Sequence, residues 1–178
     1  MQPPPNTMNT QATLPGLEAI VAPFRFKATP YSYRIVPLKE ALATEQQALC
    51  DTPENAAAYW RANIPLHPHY DPETECFTIL LLNTRRRVKA HHITSTGTHD
   101  TLLVHPIQVF RLAIMTSAAA IILLHNHPSG DPTPSEADIK VTRDLIRAGQ
   151  LLKIEVLDHV IIGTGKHCSL RELGYFNL

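Results

Sequence analysis

The donor atoms best suited to chemistry in this chain lie in one stretch, IILLHNHPSGDPTPSEAD, from Ile121 to Asp138. His125 and His127 stand two apart at the end of an apolar run. On a strand, side chains two apart share a face, so both imidazoles point one way and Asn126 points the other. Pro128, Gly130, Pro132 and Pro134 forbid continued regular structure, and with Ser129 and Asp131 they predict a stiff turn. The turn delivers Ser135, a good helix N-cap, and Asp138, whose place in the first helical turn lets its carboxylate reach back toward the imidazoles. Two imidazole nitrogens and one carboxylate oxygen can hold a divalent ion and leave one position for water, the pattern of a catalytic rather than a structural zinc site. The sequence leaves open which nitrogen of each ring would serve.

Such groups need a strand, a turn and a helix held by a sheet, and the flanking sequence supplies them. Ala118–Leu124 predicts the central buried strand. The helix opening at Ser135 places Ile139, Thr142, Leu145, Ile146 and Gly149 on one face, with a turn near Gly149 ending it. Cys76–Leu82 (CFTILLL) is a near-continuous run of β formers, as expected of a strand covered on both faces. After a turn carrying Arg85, Arg86 and Arg87, Val88–Thr94 predicts its neighbour. A turn at Gly97–Asp100 and the segment Thr101–Val104 lead to His105 and Pro106, which open a helix with Val109, Leu112, Ala113 and Thr116 inward. Ile154–Ile162 predicts the next strand and His167–Leu170 a short last one. Upstream, Thr52 caps a helix with Pro53 in its first position, and Ala56, Tyr59, Trp60 and Ile64 recur on its inner face, Trp60 as a core anchor. Further upstream, Tyr31–Leu38 predicts a short edge strand and Lys39–Cys50 a helix.

Composition narrows the classes. A chain of 178 residues with 44% hydrophobic content buries one good core, so one domain behind a flexible leader is expected. The first fifteen or so residues, rich in Pro, Thr, Asn and Gln, predict disorder. Sixteen basic and sixteen acidic residues give no net field to attract nucleic acid or an anionic membrane. The arginine triplet reads as a solvated hairpin tip rather than a phosphate patch, and His67 and His69, in a proline-flanked loop, as solvated. Cys50, Cys76 and Cys168 lack any C-x-x-C spacing, which argues against a disulfide framework and fits a reducing cytoplasm. MQPPPNTMNTQATLP has neither the basic start nor the apolar core of a signal peptide, and no apolar run spans a bilayer.

The pattern H-x-H, seven residues, Ser, two residues, Asp resembles the metal motif of JAMM/MPN metalloproteases, and the wording HNHPSGDPTPS resembles the bacterial RadC branch, named as DNA repair proteins. The likeness runs from about Thr52 to about Tyr175 and takes in TECFTILLLNTRRRV, GTHDTLLVHP and LDHVIIG. It implies an α/β fold, a mixed β-sheet flanked by helices in three layers, of the JAB1/MPN architecture shared with cytidine deaminases. The chain then divides into a leader (1–30), an N-terminal extension (31–50) and a RadC-like domain (51–178). A standard RadC-like chain carries a helix-hairpin-helix DNA-binding module ahead of this domain, and the leader here is short for one. Relatives usually have an arginine after the His-Pro pair, where this chain has Ile107 and Gln108.

The resemblance also implies roles. His125, His127 and Asp138 would hold one Zn²⁺ per chain. A glutamate at the edge of the domain's first strand serves the family as base; relative to CFTILLLNT the match is Glu75, with Glu73 the runner-up at a register shift of two. Read locally, either is an exposed loop carboxylate. Ser135, whose family counterpart supports the tetrahedral intermediate, would steady the oxyanion, although capping its helix is a simpler role. The implied activity is metal-dependent hydrolysis of a peptide or isopeptide bond in a peptide or protein substrate. Asp158 and His159 read either as partners behind the metal ligands or as a structural pair at the strand centre. Rival readings are weaker. HNH nucleases place their residues across a hairpin and helix, deaminases need H-x-E and P-C-x-x-C, a ligand-free scaffold is at odds with the complete donor set, and a DNA-processing role finds no support in charge.

Overall fold

The computed structural model describes residues 47–68, 70–97 and 104–177. The leader, the predicted strand Tyr31–Leu38, most of the predicted helix Lys39–Cys50, His69 and Thr101–Leu103 lie outside them. Among the described residues, five strands form one mixed sheet in the order β2-β1-β3-β4-β5. β1 (Cys76–Leu82) pairs antiparallel with both β2 (Val88–Thr96) and β3 (Ala120–Asn126). β3 runs parallel to β4 (Glu155–Ile162), which pairs antiparallel with β5 (His167–Ser169). The one parallel pair needs a long crossover, which α3 (Glu136–Leu152) supplies. β1 and β3 are buried along their whole lengths, as their apolar runs predict for strands covered on both faces.

The covers lie in two layers. α1 (Pro53–Asn63), capped by Thr52 accepting from the Asn55 N–H, packs Ala56, Ala57 and Trp60 into one core with Leu80, Leu82, Ile122, Leu124 and Val160. α2 (Pro106–Met115) and α3 pack Val109, Phe110, Ala113, Leu145 and Ile146 into the other, against Phe77, Ile79, Leu81, Ile121 and Leu123. Alternate residues of β1 and β3 thus serve opposite cores, which makes the architecture α/β/α in three layers. Trp60, 2% exposed, is the anchor its spacing predicts and stands edge-on to Tyr70.

Several boundaries differ from the sequence reading. Residues 47–50 are extended rather than helical: Leu49 bridges Arg87, with Cys50 N–H donating to Arg86 O and Val88 N–H to Ala48 O. The open backbone edge at the start of β2 takes these partners, and that tertiary demand overrides helical composition. β3 begins at Ala120, after Ser117 turns the chain at φ 50°, and continues through His125 and Asn126, which pair with Ile161 and Ile162 of β4. β2 runs two residues past the predicted end. α3 passes through Gly149 and ends at Leu152, with Lys153 left-handed at φ 58°. Gly149 serves packing instead: a Cβ there would lie 2.5 Å from Ile154 O. Phe110, outside the predicted inward stripe, is 2% exposed, whereas Leu112 is only half-buried. His67 is not simply solvated, because its ring lies against His91. The arginine turn is structured: Arg86 meets Glu155 at 3.1 Å, and Arg87 donates to Gln47 O at 2.7 Å.

Candidate metal centre

The site forms where β3 ends, β4 ends and α3 begins. His125 occupies the penultimate position of β3, fully buried, opposite Phe77 of β1, whose ring stacks on the imidazole. His127 leaves the strand, but its backbone N–H still donates to Ile162 O at 3.0 Å, so it stays tied to the sheet. The Pro/Gly turn then folds onto the end of β4. Gly130 adopts φ 82°, and its carbonyl accepts from the Thr164 N–H at 3.0 Å. Gly163 permits this approach, since a Cβ there would stand 2.4 Å from Gly130 O and 2.8 Å from Pro132 Cδ.

At the start of α3, Ser135 and Asp138 form a capping box. Ser135 N–H and Oγ–H both donate to Asp138 Oδ2, at 2.8 and 2.6 Å, and the Asp138 N–H returns a bond to Ser135 Oγ at 3.2 Å. Oδ2 is therefore occupied and Oδ1 faces His125 Nε2 at 3.2 Å. The Ser135 hydroxyl proton is committed to the carboxylate, so the capping role is the one its hydrogen bonds display.

His125, His127 and Asp138 converge, with one donor atom of each lying within 4.8 Å of the others. Their closest separations are 3.0 Å (His125 Nε2 to His127 Nε2), 3.2 Å (His125 Nε2 to Asp138 Oδ1) and 3.6 Å (His127 Nε2 to Asp138 Oδ2). Tetrahedral ligands at about 2.0–2.1 Å from an ion sit about 3.3–3.4 Å from one another. The donor set fits a small divalent ion.

The ring nitrogens left undecided by the sequence are selected here. His127 Nδ1–H donates to Asp131 O at 2.8 Å, which leaves Nε2 for the centre. His125 Nδ1 meets His159 Nε2 at 2.8 Å, so its Nε2 also faces inward. Burial disfavours the charged form of Asp138, but the neighbouring His125, His127 and Ser135 side chains outweigh it and hold the carboxyl far below its usual range. The Asp138 carboxylate in turn raises the proton affinity of His127 against the opposing effect of burial, and the charge of Glu75 adds to that pull. The imidazole and the carboxylate thus attract a positive charge to the point where their lone pairs meet.

Glu75, half-buried just before β1, is set by backbone contacts on both sides. Its carbonyl accepts from the Gly97 N–H at 2.8 Å. Asn126, on the opposite face of β3 from His125, spans the residue: its Oδ1 accepts from the Cys76 N–H at 2.9 Å and its Nδ2 donates to Thr74 O at 3.0 Å. The residue between the two histidines therefore couples the upstream acid to the metal motif. Glu73 lies in the exposed turn at Asp71. Asp158 and His159 do not form a pair through their side chains. Asp158 accepts from Ser169 Oγ and from the His159 and Arg171 backbone, whereas the His159 imidazole joins the donor set from behind. Alternation along β4 sends the two to opposite faces. Asn126 and the His159 imidazole are the residues whose roles the sequence left undefined.

Residues 50–175 match the family model for the RadC-like JAB domain. The chain belongs to the RadC-like JAB domain family. A UPF0758 protein of Desulforamulus reducens is 39% identical over 167 residues, covering 93% of this chain and 71% of its own length. A UPF0758 protein of Caldanaerobacter subterraneus subsp. tengcongensis is 52% identical over 103 residues, covering 58% of this chain and 44% of its own. For the relative from Methanococcoides burtonii the identity is 47%, over 63% of this chain and 49% of that protein. The chain thus spans about half the length of several curated relatives it matches. The matched residues of the RadC-like JAB domain contain the whole donor set as well as Glu75, Asn126 and His159. Among the described residues, no helix is long and apolar enough to cross a membrane.

Proposed function

We propose that this RadC-like domain is a metal-dependent peptidase of JAMM type, hydrolysing a peptide or isopeptide bond with a water activated at the His125–His127–Asp138 centre. The observation that carries the reading is the convergence of His125 Nε2, His127 Nε2 and the Asp138 carboxylate at separations suited to one small ion. That set leaves a coordination position open, as catalytic zinc centres do. When bound, a divalent ion such as Zn²⁺ lowers the pKa of a water from about 15.7 toward about 7.

The remaining work falls to side chains. Glu75 takes the proton of the attacking water and returns it to the departing nitrogen, a task that needs a carboxylate near the centre and outside the ligand set. Asp138 would help to hold the ion, with Oδ1 turned to His125 while Ser135 donates to Oδ2 and fixes the carboxylate. When a tetrahedral oxyanion develops, Ser135 can turn its hydroxyl from Oδ2 toward it, a contact of the kind worth about 3 kcal/mol. The substrate is a peptide or protein, and the compartment is the cytoplasm.

Metal analysis of the purified chain tests this directly. About one zinc per chain is expected, with loss in His125→Ala and Asp138→Ala; full retention in both variants removes the reading. Glu75→Gln is expected to keep zinc and lose cleavage of a peptide library. Undiminished cleavage would move the base to Glu73 or elsewhere.

A further inference from the structure

His159 is fully buried at the centre of β4, yet both of its ring nitrogens are engaged in short contacts. Nε2 stands 2.8 Å from His125 Nδ1, and Nδ1 stands 2.6 Å from Thr142 Oγ1. Thr142 Oγ1 in turn lies 2.6 Å from the backbone carbonyl of Asp138. A carbonyl oxygen has no proton to give, so the threonine hydroxyl must donate to it. With its only proton committed, Thr142 Oγ1 can take the third contact only as an acceptor, and His159 carries its proton on Nδ1. His159 Nε2 then offers a lone pair, and His125 Nδ1 must be the protonated nitrogen between them. Every proton in the chain follows from one carbonyl.

We propose that Thr142 and His159 are positioning residues that hold the ring proton of His125 on Nδ1, so that Nε2 is the nitrogen turned to the metal centre. The inference rests on the metal-centre reading and extends it. The relay starts at the backbone of one candidate ligand, Asp138, and ends on the ring of another, His125. It therefore joins α3, β4 and β3 at the point where the donors must meet. Metal-bound histidines usually give their second N–H to a carboxylate, a carbonyl or water. Here the acceptor is a buried imidazole whose own orientation is dictated by a helix. A purely structural core position would be filled as well by leucine, which makes the two roles separable.

The test uses the whole chain, zinc competition against a chromophoric chelator at constant pH, and long-range nitrogen–proton NMR of the histidine rings without metal. Thr142→Val is nearly isosteric but can neither donate to Asp138 O nor accept from His159. It is expected to move the His159 proton to Nε2, drive the His125 proton from Nδ1 to Nε2, and weaken zinc binding about 10- to 100-fold. Thr142→Ser restores both. His159→Gln keeps an acceptor near the position of Nε2 and is expected to bind zinc more tightly than His159→Leu. A wild-type His125 lacking a proton on Nδ1 in the metal-free chain overturns the proposal, as does Thr142→Val leaving both the tautomer and the zinc affinity unchanged. Failure of the wild type to bind zinc would remove the peptidase reading, while the metal-free spectra still decide the tautomer.

Discussion

Replacing Asn126 by alanine isolates the link between the metal motif and the strand that carries Glu75. Asn126 is 6% exposed and makes two hydrogen bonds, accepting from the Cys76 N–H at 2.9 Å and donating to Thr74 O at 3.0 Å. Cys76 is fully buried, so loss of the acceptor strands its N–H away from water. An unsatisfied buried donor costs about 1–3 kcal/mol, and the second bond contributes about 1 kcal/mol net, so the variant should lose about 2–4 kcal/mol of stability. Urea denaturation measures that loss, and amide hydrogen exchange at Cys76 locates it. Asn126→Asp keeps the acceptor and should retain more Cys76 protection than alanine, while burying a charge of its own. A loss below about 0.5 kcal/mol with Cys76 exchange unchanged would refute the clamp, because the magnitude rests on that N–H having no other partner.

Other outcomes follow from the same geometry. Because the Asp138 carboxylate raises the proton affinity of His127 above its ordinary 6.5, protons compete with metal to higher pH; zinc affinity should fall about tenfold per pH unit below that raised value and level off above it, as chelator competition across pH would show. Gly163→Ala would place a Cβ 2.4 Å from Gly130 O, forcing the Pro/Gly turn off β4; stability should fall by about 1–3 kcal/mol in urea titrations, with zinc affinity reduced as His127 shifts. Ser135→Ala removes the cap bond to the Asp138 N–H and one of two bonds to Oδ2; a loss of about 1 kcal/mol is expected by thermal or chemical denaturation.

The donor set and its scaffold were legible in the sequence because each rests on short-range rules. Period-two alternation separates His125 and His127 from Asn126, the Pro/Gly cluster predicts the turn, and a serine three residues before an aspartate marks the capping box. The apolar runs of β1 and β3 announce buried strands, and IEVLDHVII announces β4. What no local rule reaches is anything that depends on partners far along the chain. Leu49 bridges to Arg87, and Gly149 lies inside α3, where its lack of a Cβ lets Ile154 O approach. The nitrogen each histidine presents is settled by His159, 34 residues from His125, and by the Asp131 carbonyl. The placement of Glu75 depends on Asn126, whose amide reaches residues 50 and 52 positions upstream. Residue type and spacing determine which atoms are able to bind a cation; only the folded sheet, by closing hydrogen bonds between distant segments, determines which lone pairs remain free to do so.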